Sequence, residues 1–276
     1  MQVIKFDSKF FNPKDTLECG QIFRYKPFKD GYLVFSQDKC CYLYENNGIT
    51  FIESENPAYF ENYFDLHSDY QSIYDKVSAF GNDFLSQALE YGKGIRILKQ
   101  DKVETALSFI ISQNNNISRI KSIIEKLCES LGEKYYFMGE VCYSFPKIKD
   151  MATKDKEFYR SLGLGYRDAY VLEFSKKLNG GFDMEELASL ETLPLEKALT
   201  NIYGIGKKVA DCILLFAYGR SDCFPVDTWI EKLYHENFSG TIKDRAKISN
   251  ELVTKFGNLS GYVQQYVFHY KRLKQL

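Results

Sequence analysis

The sequence of 276 residues is poor in the side chains that build metal sites and disulfide frameworks. Its three histidines are dispersed, and its seven cysteines are odd in number and contain no CxxC pair. This spacing fits neither a zinc ribbon nor an iron–sulfur cluster. We therefore expect no structural metal and no cofactor, and we expect reduced thiols in a reducing compartment.

Long apolar runs are also missing. No stretch reaches the roughly 18 residues that a membrane-spanning helix needs. The amino-terminal segment MQVIKFDSKFF lacks the apolar part of a signal peptide. These absences predict a soluble intracellular protein without a membrane partner and without a targeting signal.

An excess of charge of either sign is absent, yet the charges are unevenly distributed. The formal net charge is −1. Residues 1–95 carry 9 basic and 14 acidic side chains, whereas residues 196–276 carry 12 basic and 8 acidic ones. Such a chain can present a basic face to phosphates while it stays near neutral overall. An ordinary solvated surface is the alternative explanation.

Two kinds of pattern follow one another along the chain. Short aromatic and β-branched runs, separated by turn signals, fill residues 1–53 and predict an antiparallel meander. Helical periods begin near Asn56 and continue to the carboxyl end. We therefore predict an α+β protein with two domains. Residues 1–95 form a twisted antiparallel sheet with flanking helices, and residues 96–276 form a mostly helical domain.

Two helices in the middle of the chain have clear start signals. DKVETALSFIIS begins with Asp101 and Glu104 at capping-box spacing and continues with one apolar stripe. The polar QNNN segment then separates it from a second helix, and Asn115 or Asn116 is expected to cap that helix.

The segment GIGKKVADCILLF contains an unusual pair of lysines at the start of an apolar helix. The short Gly-Ile-Gly turn between two helices predicts a helical hairpin whose free amides form a phosphate site. Residues four apart share a helix face, so Lys207 is expected to pair with Asp211 on a polar face. Lys208 lies over Cys212 on an apolar face, where burial and a neighbouring cation should lower its pKa, as amine nucleophiles require. The alternative is that the Lys208 amine reaches solvent along its aliphatic stem.

Downstream, FPVDTW places Asp227 at the expected amino-terminal cap of the next helix. Capping alone would explain this residue. A buried carboxylate about twenty residues after Lys208, with one helix folded back between them, can also face that lysine across a cleft.

Hairpin, lysine and aspartate together resemble the helix-hairpin-helix, Gly/Pro-Asp superfamily of DNA base-excision glycosylases. SQNNNISRI, LGLGYRDAY, GIGKKVADCI and PVDTW, in this order, resemble the 8-oxoguanine DNA glycosylases, as do CGQIFRY and GYVQQYVF near the two ends. The resemblance implies a TATA-binding-protein-like sheet packed on a helical glycosylase domain. It also implies a bifunctional glycosylase and abasic-site lyase that removes 8-oxoguanine, preferably opposite cytosine, in base-excision repair. The implied partner is double-stranded DNA containing 8-oxoguanine, bound by a monomer that, in a prokaryote, would be cytoplasmic and associated with the nucleoid.

The resemblance also implies roles for individual residues, and four groups result. The catalytic pair is the Schiff-base lysine and its aspartate, Lys208 and Asp227. The lesion base is contacted by Gly20, through its carbonyl, and by Cys212, Gln264 and Phe268. The opposite base is contacted by Asn114, Arg119 and Arg167, and DNA phosphates by Gly204, Gly206 and Lys207.

Three departures from the family pattern matter. Ile202-Tyr203 stands where the hairpin usually has Leu-Pro, and Trp229 stands where many eukaryotic members have a phosphate-contacting histidine. The four-cysteine iron–sulfur loop of the endonuclease III-like branch is missing. Two other functions stay open: a monofunctional glycosylase, for instance for alkylated purines, and a helix-hairpin-helix module that binds DNA or a partner without catalysis.

Overall fold

The computed structural model describes residues 1–273. Five strands form one antiparallel sheet in the order β1-β5-β4-β3-β2. The strands are β1 (Gln2–Asp7), β2 (Tyr25–Phe28), β3 (Gly31–Ser36), β4 (Lys39–Asn46) and β5 (Ile49–Ser54). The predicted meander is confirmed for β2 to β5. It is wrong for β1, which pairs with β5 at the far edge because a short helix separates it from β2.

The rest of the fold is helical apart from one hairpin. The hairpin consists of β6 (Lys134–Phe137) and β7 (Glu140–Tyr143). The helices are α1 (Pro13–Glu18), α2 (Pro57–Tyr63), α3 (Tyr70–Ser78), α4 (Asp83–Tyr91), α5 (Lys102–Ser112), α6 (Ile117–Leu131), α7 (Ile148–Ala152), α8 (Lys156–Ser161), α9 (Asp168–Asn179), α10 (Thr192–Thr200), α11 (Lys207–Ala217), α12 (Thr228–Asn237), α13 (Arg245–Phe256) and α14 (Ser260–Leu273). Within residues 1–273, none of these helices is long and apolar enough to cross a membrane.

The sheet is buried on both faces over part of its area. Alternation along the strands places Val34, Leu43 and Ile52 on one face, which packs on residues of α1 and α2. The opposite face carries Leu33 and Tyr42, and these pack against the β6–β7 hairpin. The hairpin thus covers one end of the outer face.

A buried ion pair joins the sheet to the helical body. Arg24 donates to Glu104 at 3.1 Å, and Glu104 also accepts from the backbone of Gln37 at 2.7 Å. Asp101 caps α5 through the Glu104 amide at 2.8 Å, as predicted. The Glu104 carboxylate does not complete the capping box by accepting from the Asp101 amide, because it binds Arg24 and the Gln37 amide instead.

The carboxyl-terminal helices do not pack only on one another. Residues of α3 and α4 share a core with α12, α13 and α14. In space, residues 70–91 therefore belong with the helical body, while the boundary at residue 95 remains a prediction from the sequence. This return of the chain brings α14 next to α1 and places Phe268 beside Gly20.

Candidate active site

The hairpin between α10 and α11 needs glycine at one position for two reasons. Gly204 has a φ of +89°, and a Cβ there would lie 2.4 Å from the ring of Tyr170. Gly206 differs, because its φ is −90° and the space around it is open. It is the cap residue of α11 and supplies no side-chain cap, so the first amides of α11 are left for an external acceptor.

Lys207 is held by two carboxylates. Its Nζ lies 2.6 Å from Asp211 Oδ1 and 3.0 Å from Glu196 Oε2. Burial opposes the charge on Lys207, but Asp211 and Glu196 outweigh burial and raise its pKa. The predicted pairing with Asp211 is confirmed, whereas the predicted polar face is wrong, because Asp211 is fully buried. The Lys207 ammonium is thus engaged within the protein, while the predicted phosphate contact of Lys207 remains a prediction.

Lys208 extends from the other face of α11 into an aromatic and sulfur environment. Its Nζ lies 5.2 Å from the centroid of the Phe109 ring. The Cys212 thiol is its neighbour one turn further along α11, as the four-residue spacing predicts. Burial raises the pKa of this thiol to about 11, although the nearby Lys208 charge opposes the shift. The thiol therefore stays neutral beside the amine.

Asp227 caps α12, as predicted. Its Oδ1 accepts from the amides of Trp229 at 3.0 Å and Ile230 at 2.9 Å. Both bonds use the same oxygen, so capping leaves Oδ2 available. The predicted burial is only partly correct, because Asp227 is half-buried at the edge of a cleft.

A cleft of about 820 Å³ brings the two predicted catalytic residues together. Lys208 and Asp227 both line it, and so do Gly20 and Phe268 from opposite ends of the chain. Residues almost 250 positions apart in sequence thus meet in one depression. Phe109 contributes to the same apolar lining.

The four residues predicted to contact a lesion base occupy two levels. Gly20 has a φ of +89°, and a Cβ there would lie 3.3 Å from the Phe268 ring, so the ring occupies the space beside this glycine. Cys212 and Gln264 lie behind the cleft surface, and both are buried. The Gln264 amide is oriented by neighbours, since its Oε1 accepts from Gln265 at 2.7 Å and its Nε2 donates to the Pro225 carbonyl at 3.4 Å.

The three residues predicted to contact the opposite base lie on the 113–116 loop, on the first turn of α6 and on the 163–167 segment. Asn114 is exposed, has a φ of +46°, and donates to the Tyr166 hydroxyl at 3.0 Å. Arg119 is exposed and donates to the Gly163 carbonyl at 3.1 Å. Asn114 also lines the cleft.

Arg167 is buried, contrary to what a base-contacting arginine would suggest. Its guanidinium donates to the carbonyls of Gln113, Leu164 and Asn114, the last at 2.9 Å. Its donors hold the 113–116 loop against the 163–167 segment. Its predicted base contact remains a prediction.

Several residues at the site escaped the sequence analysis. Gln113 donates to the Gly204 carbonyl at 2.9 Å and so connects the QNNN loop to the hairpin. Tyr166, Tyr170 and Tyr203 form edge-to-face pairs over the same junction. Amphipathic periodicity could not reveal these contacts, because they join three loops that are distant in sequence.

Trp229 lies beside Asp227 on the cleft wall. Its side chain is 43% exposed, which is unusual for a large aromatic residue. Arg245 of α13 lines the same wall and donates to Glu231 at 2.7 Å. In residues 1–273, no three metal-ligating side chains gather into a cluster, and all seven cysteines are free and buried.

Comparison with known families agrees with this geometry. Residues 3–106 match the family described as 8-oxoguanine DNA glycosylase, N-terminal domain. Residues 107–257 match the HhH-GPD superfamily of base excision DNA repair proteins.

Two solved structures are similar over the whole chain. A structure of MBOgg1 in complex with a low affinity DNA ligand has 34% identity and a TM-score of 0.93, and the match covers 99% of this chain and 96% of that one. The 8-oxoguanine glycosylase/lyase of Clostridium acetobutylicum, in complex with DNA containing cytosine opposite 8-oxoguanine, has 31% identity and a TM-score of 0.92, with 100% and 99% covered.

A curated relative extends the comparison to eukaryotes. The N-glycosylase/DNA lyase of Saccharomyces cerevisiae is 28% identical over 274 residues, which is 92% of this chain and 69% of the relative. The family matches, the fold and the shared cleft lead to one conclusion: this chain belongs to the HhH-GPD superfamily of base-excision DNA repair proteins, in its 8-oxoguanine DNA glycosylase branch.

Proposed function

We propose that this chain is a bifunctional glycosylase/lyase that removes 8-oxoguanine from duplex DNA through a Schiff base on Lys208, preferentially when cytosine is opposite. The observation that supports this most directly is the cleft that Lys208 and Asp227 share with Gly20 and Phe268. One nucleophile, one carboxylate and one purine-sized aromatic surface are within a single depression. Since all four come from one chain, we expect a monomer to suffice.

The chemistry follows from the two catalytic side chains. The neutral amine of Lys208 attacks C1′ of the damaged nucleoside while the bond from C1′ to N9 of the base breaks, and the base leaves with the bonding electrons and takes up a proton. The Asp227 carboxylate stabilises the positive charge that develops on the sugar. Opening of the sugar ring gives the Schiff base. Loss of a C2′ proton then expels the 3′ phosphate, which nicks the strand by β-elimination.

Discrimination against guanine depends on a backbone carbonyl. At N7, 8-oxoguanine carries an N–H donor, whereas guanine has an acceptor. We assign the complementary acceptor to the Gly20 carbonyl, because normal guanine would leave two acceptors facing each other in a buried site. Phe268 stacks on the purine. Gln264 and Cys212 contact the base when it has moved inward past the cleft surface.

The remaining contacts orient the duplex. Extruding a base leaves an unpaired partner and a gap in the stack. We assign contact with the unpaired base to Asn114, Arg119 and Arg167, whose donors match the O2 and N3 acceptors of cytosine. We assign the phosphates near the lesion to the hairpin amides at Gly204, Gly206 and Lys207.

Borohydride trapping tests this mechanism, because only a Schiff-base enzyme yields a covalent protein–DNA adduct. We expect the wild-type protein to be trapped on a duplex with 8-oxoguanine opposite cytosine. Lys208→Gln should abolish both trapping and excision. Lys207→Gln should retain trapping but melt several degrees lower, because it leaves Asp211 buried without its cationic partner.

Two outcomes would contradict the proposal. Absence of a wild-type adduct would favour a monofunctional glycosylase if the base is still released, and a non-catalytic module if it is not. Trapping that survives in Lys208→Gln but is lost in a folded Lys207→Gln protein would show that the two faces of α11 are assigned the wrong way round.

A further inference from the structure

Asp211 is a buried carboxylate that the proposed mechanism does not use. It lies on α11, three residues after Lys208, and its side chain is fully buried. Oδ1 accepts from Lys207 at 2.6 Å, while Oδ2 lies 3.3 Å from the Ser249 hydroxyl of α13. Asp211 therefore connects the catalytic helix to a second helix.

Ser249 continues this connection towards the other catalytic residue. It is itself fully buried, and its Oγ lies 2.9 Å from the carbonyl of Phe224. Phe224 is three residues before Asp227, and the residues between them are buried. A second contact runs in parallel, because the Cys223 thiol donates to the Asp211 carbonyl at 3.4 Å.

One hydroxyl proton serves two acceptors in this network. The Ser249 hydroxyl has one proton, and both Asp211 Oδ2 and the Phe224 carbonyl lie within its reach. The Phe224 carbonyl at 2.9 Å is the nearer acceptor and Oδ2 at 3.3 Å the more distant one, so a single hydroxyl connects both groups. Burial raises the pKa of Asp211, and the Lys207 ammonium at 2.6 Å opposes this shift and keeps the pair together.

We propose that Asp211 and Ser249 are positioning residues that set the separation between the Lys208 amine and the Asp227 carboxylate. They touch neither the base nor the sugar. They act by fixing α11 to the segment 223–227, so that the two catalytic groups reach the same nucleoside together. This inference depends on the proposed function, because it assumes that Lys208 and Asp227 act in one reaction.

Two reactions of the same protein separate positioning from general stability. Excision of the base requires Lys208 and Asp227 in register. Formation of a Schiff base on a ready-made abasic site requires the amine and an aldehyde. No base departs in this reaction, so the charge that Asp227 is proposed to stabilise on the sugar does not develop through loss of a base. Loss of the connection should therefore slow the first reaction much more than the second.

The test is single-turnover kinetics of Ser249→Ala on two duplexes, one with 8-oxoguanine and one with an abasic site at the same position. We expect excision to fall by about tenfold to a hundredfold, as for misplacements of the order of 1 Å. Trapping on the abasic duplex should change by less than about threefold, because Schiff-base formation there does not depend on the separation of the two catalytic groups. Asp211→Ala should reproduce this difference, and Ser249→Thr, which retains the hydroxyl, should restore excision.

Ser175→Ala is the matched control. Ser175 is also fully buried in a helix, and its hydroxyl donates to Val171 in the same helix at 2.7 Å. We expect both reactions of this variant to match the wild type. The inference would be overturned if Ser249→Ala lowered the rates of excision and of abasic-site trapping equally. It would also be overturned if Ser175→Ala slowed excision more than trapping. A wild-type protein that forms no adduct would instead overturn the proposed function.

Discussion

The structural role of Asp227 can be separated from the chemical role that we propose for it. Its Oδ1 accepts both capping bonds of α12, so the cap does not occupy Oδ2. An amide retains one acceptor oxygen but no negative charge. Asparagine at this position should therefore preserve the cap and remove the electrostatic contribution.

We predict that Asp227→Asn slows excision by about a hundredfold to a thousandfold, the size of effect seen when one preorganised electrostatic group is removed. Its melting temperature and its affinity for lesion DNA should stay close to those of the wild type, because asparagine is a good capping residue. Single-turnover excision and thermal unfolding measure the two quantities. Excision rates near those of the wild type would show that Asp227 caps α12 and has no role in the reaction.

The spacing of residues along one helix predicted the contacts on that helix. The four-residue rule placed Lys207 with Asp211, and this pair is present; it placed Lys208 with Cys212, and the Lys208 charge is near enough to act on that thiol. It could not show that Asp211 is buried, because the covering residue, Ser249, comes from a helix 38 positions further on. Contacts within an element follow from local geometry, whereas contacts between elements depend on packing.

Two loops at the rim of the cleft behave as one unit. Arg167 holds the carbonyls of the 113–116 loop, and Arg119 holds the Gly163 carbonyl of the 163–167 loop. Arg167 thus binds the 113–116 loop, and Arg119, from the first turn of α6 that follows this loop, binds the 163–167 segment in return.

We predict that Arg119→Ala and Arg167→Ala reduce the preference for cytosine opposite 8-oxoguanine. A mismatched bidentate contact costs roughly 1–3 kcal/mol, so the wild-type preference over adenine should be about tenfold to a hundredfold or more. Arg119→Ala should flatten it with little loss of stability. Arg167→Ala should also lower the melting temperature, because three carbonyls lose a buried donor.

The measurement is single-turnover excision on four duplexes that differ only in the opposite base. Lys126→Ala is the control, since Lys126 is exposed on the same helix as Arg119. Equal wild-type rates on all four duplexes would remove the opposite-base assignment and leave the Lys208 chemistry untouched.

The elements themselves were predictable to different degrees. Helical period and caps located α5, α6, α11 and α12 closely. The β6–β7 hairpin was missed, because its two short strands carry the exposed Tyr136 opposite Val141 and lack the alternation of a buried strand. The stripe expected on α5 was also incomplete, because residues 104–111 are buried on all sides, which places Phe109 beside Lys208.

Over the whole molecule, the sheet and the helical body differ in charge although the total is −1. The cleft receives Lys208, Arg245 and Arg272 from the basic carboxyl-terminal third. A duplex bound there would meet these cations and the free amides at the start of α11. Net charge is thus a poor guide to the field at this cleft.

We predict that DNA affinity falls steeply with salt despite the near-zero net charge. Each phosphate neutralised by the protein contributes a slope of about 0.9 in a plot of log affinity against log salt concentration. Arg245→Gln should reduce the slope by roughly one contact. Fluorescence anisotropy of a labelled lesion duplex between low and moderate salt gives the slope. A flat line would contradict binding through this face.

The position of Trp229 has a practical consequence. It is the single tryptophan of the chain, and it stands partly exposed on the cleft wall next to Asp227. Its intrinsic fluorescence therefore reports on one position in the molecule, without a label and without a second tryptophan. Stacking on a base or loss of solvent exposure changes the wavelength and the intensity of tryptophan emission. Entry of a damaged nucleotide should therefore be detectable in real time by stopped-flow fluorescence. The protein thus carries an intrinsic fluorescent probe on the wall of the proposed active-site cleft.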